Sequence, residues 1–389
     1  MQAPLRLWAV MSGLAAGVLA AATPLPAVML LRPPDGGIQP QAAVDPQGDL
    51  HLIYYLGPAD GGDLYYVRRS AGATSFSAPV PVNHQPGSAM AIGSIRGAQM
   101  ALGRNGRVHV AWMGSKHAPR VQVRGDWATP YLYTRSNDQG TQFEPERNVL
   151  TWASGLDGGG SVAADGRGNV YVAWHASAPG NHEGEGGRAV YVAHSPDEGR
   201  TFAPETLAST VPTGACGCCG MRAFADATGR LFLLYRAATD QVQRGMRLLV
   251  ATPSVPAFRL APLSEWRLAT CPMSSAALAA TDGGVLAAWE AADQVQFASV
   301  RLPELSVSAP LSPPGEGKRK HPSVARNGRG QTLLAWTEDT GWEKGGSLAW
   351  EVFDPAGRPL EAVQHRDGVP TWSLVCAVAE PDGGFVIIY

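Results

Sequence analysis

The chain has 389 residues, of which 45% are hydrophobic and only 16% charged, with 46 Gly, 31 Pro and a formal net charge of −2. There is no basic excess to grip a phosphate backbone, which argues against a nucleic-acid binder, and the apolar content argues against disorder. So much Gly and Pro calls for many turns and speaks against a helical bundle. The length would suit two or three ordinary domains, but a closed all-β architecture can use it as one.

The chain begins as a targeting signal. Arg6 precedes an apolar stretch, residues 7–22, which is short for a bilayer span. Ala20, Ala21 and Ala22 offer a small-residue cleavage site before Thr23. The division expected is a signal peptide over residues 1–22 and a single folded unit over 23–389. The mature protein is expected to be periplasmic or secreted, with no later membrane span, and monomeric.

From residue 27 onward the chain is a repeat. A short apolar run, a polar turn with Gly, and a second apolar run often ending in Trp or Tyr recur seven times, at residues 45–56, 103–114, 164–175, 225–236, 281–290, 326–338 and 380–389. The turn glycines assigned are Gly48, Gly106, Gly168, Gly229, Gly284, Gly330 and Gly384, spaced 46 to 62 residues apart. Each phrase reads as a β-hairpin. A period of this length without helical stretches predicts an all-β propeller of four-stranded blades. Seven blades are expected, with six as the alternative. The last repeat stops after two strands, so the apolar residues 27–31 (AVMLL) are expected to close the last blade and remove a sheet edge.

Two units carry a further turn after their third strand: Ser136, Asp138, Gly140 and Phe143 in one, Ser195, Asp197, Gly199 and Phe202 in the other. This resembles the Asp-box, or bacterial neuraminidase repeat, of the sialidase superfamily. Physically it is a fold device: the carboxylate caps backbone N–H groups of its own turn and the aromatic ring packs between strands. The resemblance covers nearly the whole mature chain as fold and implies carbohydrate as a ligand class. It does not extend to the catalytic motif. Sialidases hold the substrate carboxylate with three arginines, the first in a phrase like F/Y-R-I-P, and the nearest echo here, Ser94-Ile95-Arg96-Gly97, lacks both aromatic and proline. The weak catalytic candidates are Arg96 and Arg222 on inner strands, and Glu290 and Glu338 as a carboxylate pair. Their bland alternatives are satisfied core or channel residues.

In a propeller the residues just before each inner strand share one face. The unusual residues gather there: Cys216, Cys218 and Cys219 before blade 4, Cys271 and Met273 before blade 5, the basic run 317–321 before blade 6, and Trp372 before blade 7. Five cysteines outside the cytoplasm suggest disulfides first, with a bridge to Cys271 from one of the blade 4 cysteines. The sharper reading is a soft-metal site for copper or zinc, using these sulfurs with Met273, His175, His182 or His321. A redox pair Cys218–Cys219 is a third option. Arg222, Arg236, Lys320, His321, Trp342 and Trp372 are ligand-binding candidates, the two Trp as a sugar platform. The function expected is an exported sialidase-like propeller binding a ligand or soft metal ion at this face, without sialidase activity. The alternatives are an exo-glycosidase with a diverged site and a scaffold for another exported protein.

Overall fold

The computed structural model describes residues 24–177, 183–209, 211–253 and 255–389. The expected signal peptide and His182 lie outside them. The described residues form a seven-bladed β-propeller. Blade 1 runs Ile38–Val44, Leu50–Leu56, Asp63–Arg69 and Val80–Pro81, from the axis outward. Blades 2 to 6 repeat this order, their inner strands being Gln99–Leu102, Ser161–Ala164, Arg222–Ala225, Ala277–Thr281 and Arg319–Arg326. Blade 7 has three strands, Cys376–Ala379, Phe385–Ile388 and Val28–Leu31. The N-terminal strand closes it by running parallel to Phe385–Ile388, in register from Val28 opposite Phe385 to Leu31 opposite Ile388.

The strands are nearly continuous apolar runs because each blade is covered on both faces by its neighbours. Leu231–Arg236 is buried throughout. The core is correspondingly seven slabs, one for each blade-to-blade interface. An aromatic residue enters each slab from the second strand of a blade: Tyr54, Trp112, Trp174, Tyr235, Trp289, Trp336 and Tyr389. The residue before each of them pairs with the inner strand, at Gln41, Gln99, Ser161, Arg222, Ala277, Ser323 and Cys376. These seven residues are therefore one belt around the axis. Three of them latch adjacent blades: Ser161 Oγ accepts the Ala223 N–H at 2.9 Å, Ser323 Oγ the Ala377 N–H at 2.9 Å, and Cys376 Sγ the Ala42 N–H at 3.2 Å.

The turns differ from the sequence reading in two respects. Gly284 opens a strand paired with Thr281, and in blade 7 the left-handed residue is Gly383 (φ 90°), so the turns sit one residue earlier than assigned. The second difference concerns the outer turns. At Ser195–Phe202, Asp197 Oδ1 accepts the Thr201 N–H at 2.9 Å and Ser195 Oγ accepts the Gly199 N–H at 2.8 Å. Burial opposes ionisation of Asp197, but the bonds it accepts from Thr201 and from the Ser195 hydroxyl outweigh it and hold the carboxyl at about 2. At Ser136–Phe143 the cap is Asn137, whose Oδ1 accepts the Thr141 N–H at 2.9 Å. Asp138 does not cap its own turn, because Arg107 on the adjacent hairpin draws it outward into an ion pair. Phe143 and Phe202 pack edge-on against Tyr66 and Tyr133 of the preceding blades, with centroids 5.7 and 4.8 Å apart.

Candidate ligand and metal site

The loop entering blade 4 folds across blades 3, 4 and 5 because its backbone is bonded to all three. Ala215 N donates to Glu185 O (3.1 Å), Cys216 N to Arg236 O (2.9 Å) and Gly220 N to Ser274 O (3.0 Å). This brings the loop cysteines against the loop entering blade 5, and a disulfide joins Cys218 to Cys271 with Cα atoms 6.3 Å apart. The bridge connects the entrance loops of adjacent blades, so the axial face converges as the topology required. Cys216, Cys219 and Cys376 are free and buried. There is no Cys218–Cys219 pair.

Cys216 Sγ lies 3.8 Å from Cys218 Sγ. Glu185 completes the cluster: its Oε1 accepts the Gly217 N–H at 2.5 Å and lies 3.6 Å from Cys271 Sγ, while its Oε2 accepts from Arg244 at 2.8 Å. One ligand atom each from Glu185, Cys216, Cys218 and Cys271 fall within 4.8 Å of one another. Met273 packs against Cys216, Cys218 and Cys219. The two free thiols polarise each other. The contact with Cys219 and burial push Cys216 up. Burial opposes ionisation of Cys219 too, but Cys216, Arg236 and the Ser274 backbone outweigh it and lower Cys219, so Cys219 is the more acidic thiol of the pair.

Cleaving the Cys218–Cys271 bridge is expected to cost ~2–4 kcal/mol, since it closes a loop with a sequence separation of 53. Denaturation of Cys271→Ser against wild type, with and without reductant, measures this. Equal midpoints in all four samples would show the bridge to be absent or without effect.

The other candidates are dispersed. His175 is not among the clustered ligands. It follows Trp174 on its strand and pairs with Val190, so it faces the interface between blades 3 and 4. It is buried with neither ring nitrogen partnered, and burial lowers its pKa to about 3. His321 is buried at the start of blade 6, where its Nδ1 accepts the Ser275 N–H at 3.4 Å, and burial pushes it to about 3. Arg236 is buried and spent on two carbonyls, Arg244 O (3.0 Å) and Glu290 O (2.7 Å), so it joins blades 4 and 5 and offers no surface to a ligand. Arg96 is paired with Asp157, through Nε to the carbonyl (2.6 Å) and Nη2 to the carboxylate (3.2 Å). Lys320 donates to Pro272 O. Glu338 is tied to Arg319 (3.2 Å), Trp336 (3.0 Å) and His365 (3.2 Å). Glu290 is buried with Oε2 unpartnered, and burial raises its pKa. The two carboxylates therefore do not flank an open cleft. Trp342 is 59% exposed and meets Trp372 edge-on, 4.7 Å between centroids, so the chain does bring this aromatic pair together. Glu185 is the functional residue that the sequence patterns above did not single out. Its signal was the acidic, Gly-rich segment in which it sits.

The structure resembles solved propellers of two kinds. A Hadza microbial sialidase, Hz136, aligns over 85% of this chain and 68% of its own at 14% identity with a TM-score of 0.51. The fungal Aleuria aurantia lectin, a six-bladed propeller that recognises fucose, aligns over 87% and 96% at 12% identity, also with a TM-score of 0.51. These likenesses show the β-propeller fold and no more. No known protein-family model matches the chain, and no curated protein matches its sequence. No helix among the described residues is long and apolar enough to cross a membrane.

Proposed function

We propose that this chain is an exported sialidase-like propeller that binds a soft metal ion, copper or zinc, at its Cys-rich axial face and does not hydrolyse sialosides. The observation that carries the reading is the convergence of three cysteine sulfurs and the Glu185 carboxylate within 4.8 Å. Two Zn–S bonds of ~2.3 Å at a tetrahedral angle set sulfurs ~3.8 Å apart, and Cys216 and Cys218 have that spacing. The bridge occupies two of the sulfurs, so binding requires its reduction. Glu185 would supply a harder fourth ligand.

The test is anaerobic reduction, removal of reductant, and titration with Zn(II) and Cu(I), followed by elemental analysis and thiol counting. One ion per chain, lost in Cys216→Ser, is expected. Failure to retain either metal, or equal retention by Cys216→Ser, would overturn the reading. A second reading, carbohydrate binding, is favoured by the exposed Trp342 beside Trp372, since aromatic faces suit sugar rings. A glycan-binding screen in which Trp342→Ala loses its hits would support it. Fluorogenic sialosides should show no turnover, and turnover abolished in Arg96→Gln would restore the exo-glycosidase alternative.

A further inference from the structure

The inner strands enclose an axial cavity of about 410 Å³ whose wall is mostly Ala, Val and Leu. Two of its lining residues are charged, Arg222 and Arg326, and both are positive. Among the described residues neither has a carboxylate partner. Arg222 stands on the belt. Its Nη1 donates to Gln41 Oε1 (2.7 Å) and to Gln99 Oε1. Both acceptors are neutral and share a single nitrogen, so Nε and Nη2 have no protein acceptor. Arg326 lies three residues beyond the belt residue Ser323, ~10 Å along the strand, towards the opposite rim. Both arginines are half-buried on this wall, and a guanidinium partly withdrawn from water without a counter-charge carries a desolvation cost. That cost is offset when an anion sits against the free edge of the fork, which matches the two oxygens of a carboxylate or phosphate. Ser94 and Ser275, which also line the cavity, add hydroxyl donors.

From this arrangement we infer that the axial cavity is a binding site for one small oxyanion, held by Arg222 and drawn in by the second positive charge of Arg326. The site is separate from the cysteine cluster and does not depend on metal binding there. It suits a compact solute, an inorganic oxyanion or a short organic carboxylate, because the cavity holds only about 410 Å³ and only Arg222 and Arg326 among its lining residues are charged.

Calorimetric titration of the full mature protein at low ionic strength with inorganic phosphate, sulfate and malonate tests the inference and separates the two sources. At least one should bind with one-to-one stoichiometry, and raised salt should weaken it. Arg222→Gln should weaken binding at least tenfold, and Arg326→Gln by a smaller factor. Gln99→Glu keeps the guanidinium but gives it an internal carboxylate, so it should abolish binding while leaving the unfolding midpoint unchanged or higher. This variant decides the matter should Arg222→Gln not fold. No binding of any of the three anions by wild type, or undiminished binding by Gln99→Glu, overturns the proposal.

Discussion

Deleting residues 25–32 is expected to remove most of the stability of the folded protein. Four residue pairs of the parallel ladder between Val28–Leu31 and Phe385–Ile388 are lost, each backbone bond worth ~0.5–1.5 kcal/mol net. Val28 and Leu30 leave the slab between blades 6 and 7, and Leu31 leaves the slab between blades 7 and 1, about 1 kcal/mol each for partly buried side chains. Arg32 no longer bonds Gly368 O (2.6 Å) or lies over the Tyr389 ring at 3.5 Å. The sum, ~5–9 kcal/mol, is comparable to the whole stability of a typical domain. The deletion also uncovers the edge of Phe385–Ile388, an apolar template for pairing with another chain. Denaturation curves and light scattering should show a collapsed midpoint and oligomers. A deletion variant that stays monomeric with an unchanged midpoint would refute the closure argument.

Acid should destabilise the protein well above the range of ordinary carboxylates. His109, His175 and His321 are buried and each is lowered to about 3, with burial the first cause in every case. In the fold they are neutral, whereas an unfolded imidazole takes its proton near 6.5. The unfolded chain therefore binds more protons as pH falls from about 6.5 towards 3, and each histidine withdraws up to ~1.4 kcal/mol per pH unit over that window. Glu351 works against this. It is buried with Oε2 unpartnered, and burial raises its carboxyl to about 7. A raised carboxyl stabilises below the unfolded value and loses that contribution as pH rises to 7. Glu290 is shifted the same way. Three histidines outweigh two carboxyls, so net stability falls on acidification. His175 has no hydrogen-bond partner among the described residues, so His175→Leu isolates one contribution. Relative to wild type it should gain ~2 kcal/mol on going from pH 7.5 to pH 5. An unchanged difference between the two pH values would mean that His175 is protonated, or hydrated, inside the fold.

The fold was legible because its signals are local and repeated seven times. A hairpin phrase states its own turn, strand direction and aromatic anchor, and the short final repeat points to residues 27–31 as the missing strand. The outer turns were less legible. Asn137 and Asp138 are both able to cap, and the position of Arg107 on another hairpin decides between them. The candidate site was legible as a face but not as a constellation. Loop order placed Cys218 and Cys271 on neighbouring blades, and they are bridged. It could not show that His175 is buried between blades 3 and 4 outside the ligand cluster, that Arg236 is consumed by two carbonyls, or that Glu185 reaches the sulfurs.

Local pattern specifies the ring: the number of repeats, the apolar runs buried on both faces, the closing strand and the face on which cysteines gather. Those features follow from periodicity and chain order, which one strand and its turn encode within a few residues. Which side chains meet is set by packing between blades. The belt of Gln41, Gln99, Ser161, Arg222, Ala277, Ser323 and Cys376 draws one residue from each blade, up to 335 positions apart in the chain (376 − 41). Whether Arg222 finds a carboxylate or two amides across that belt depends on register and closure together, and no local pattern carries either.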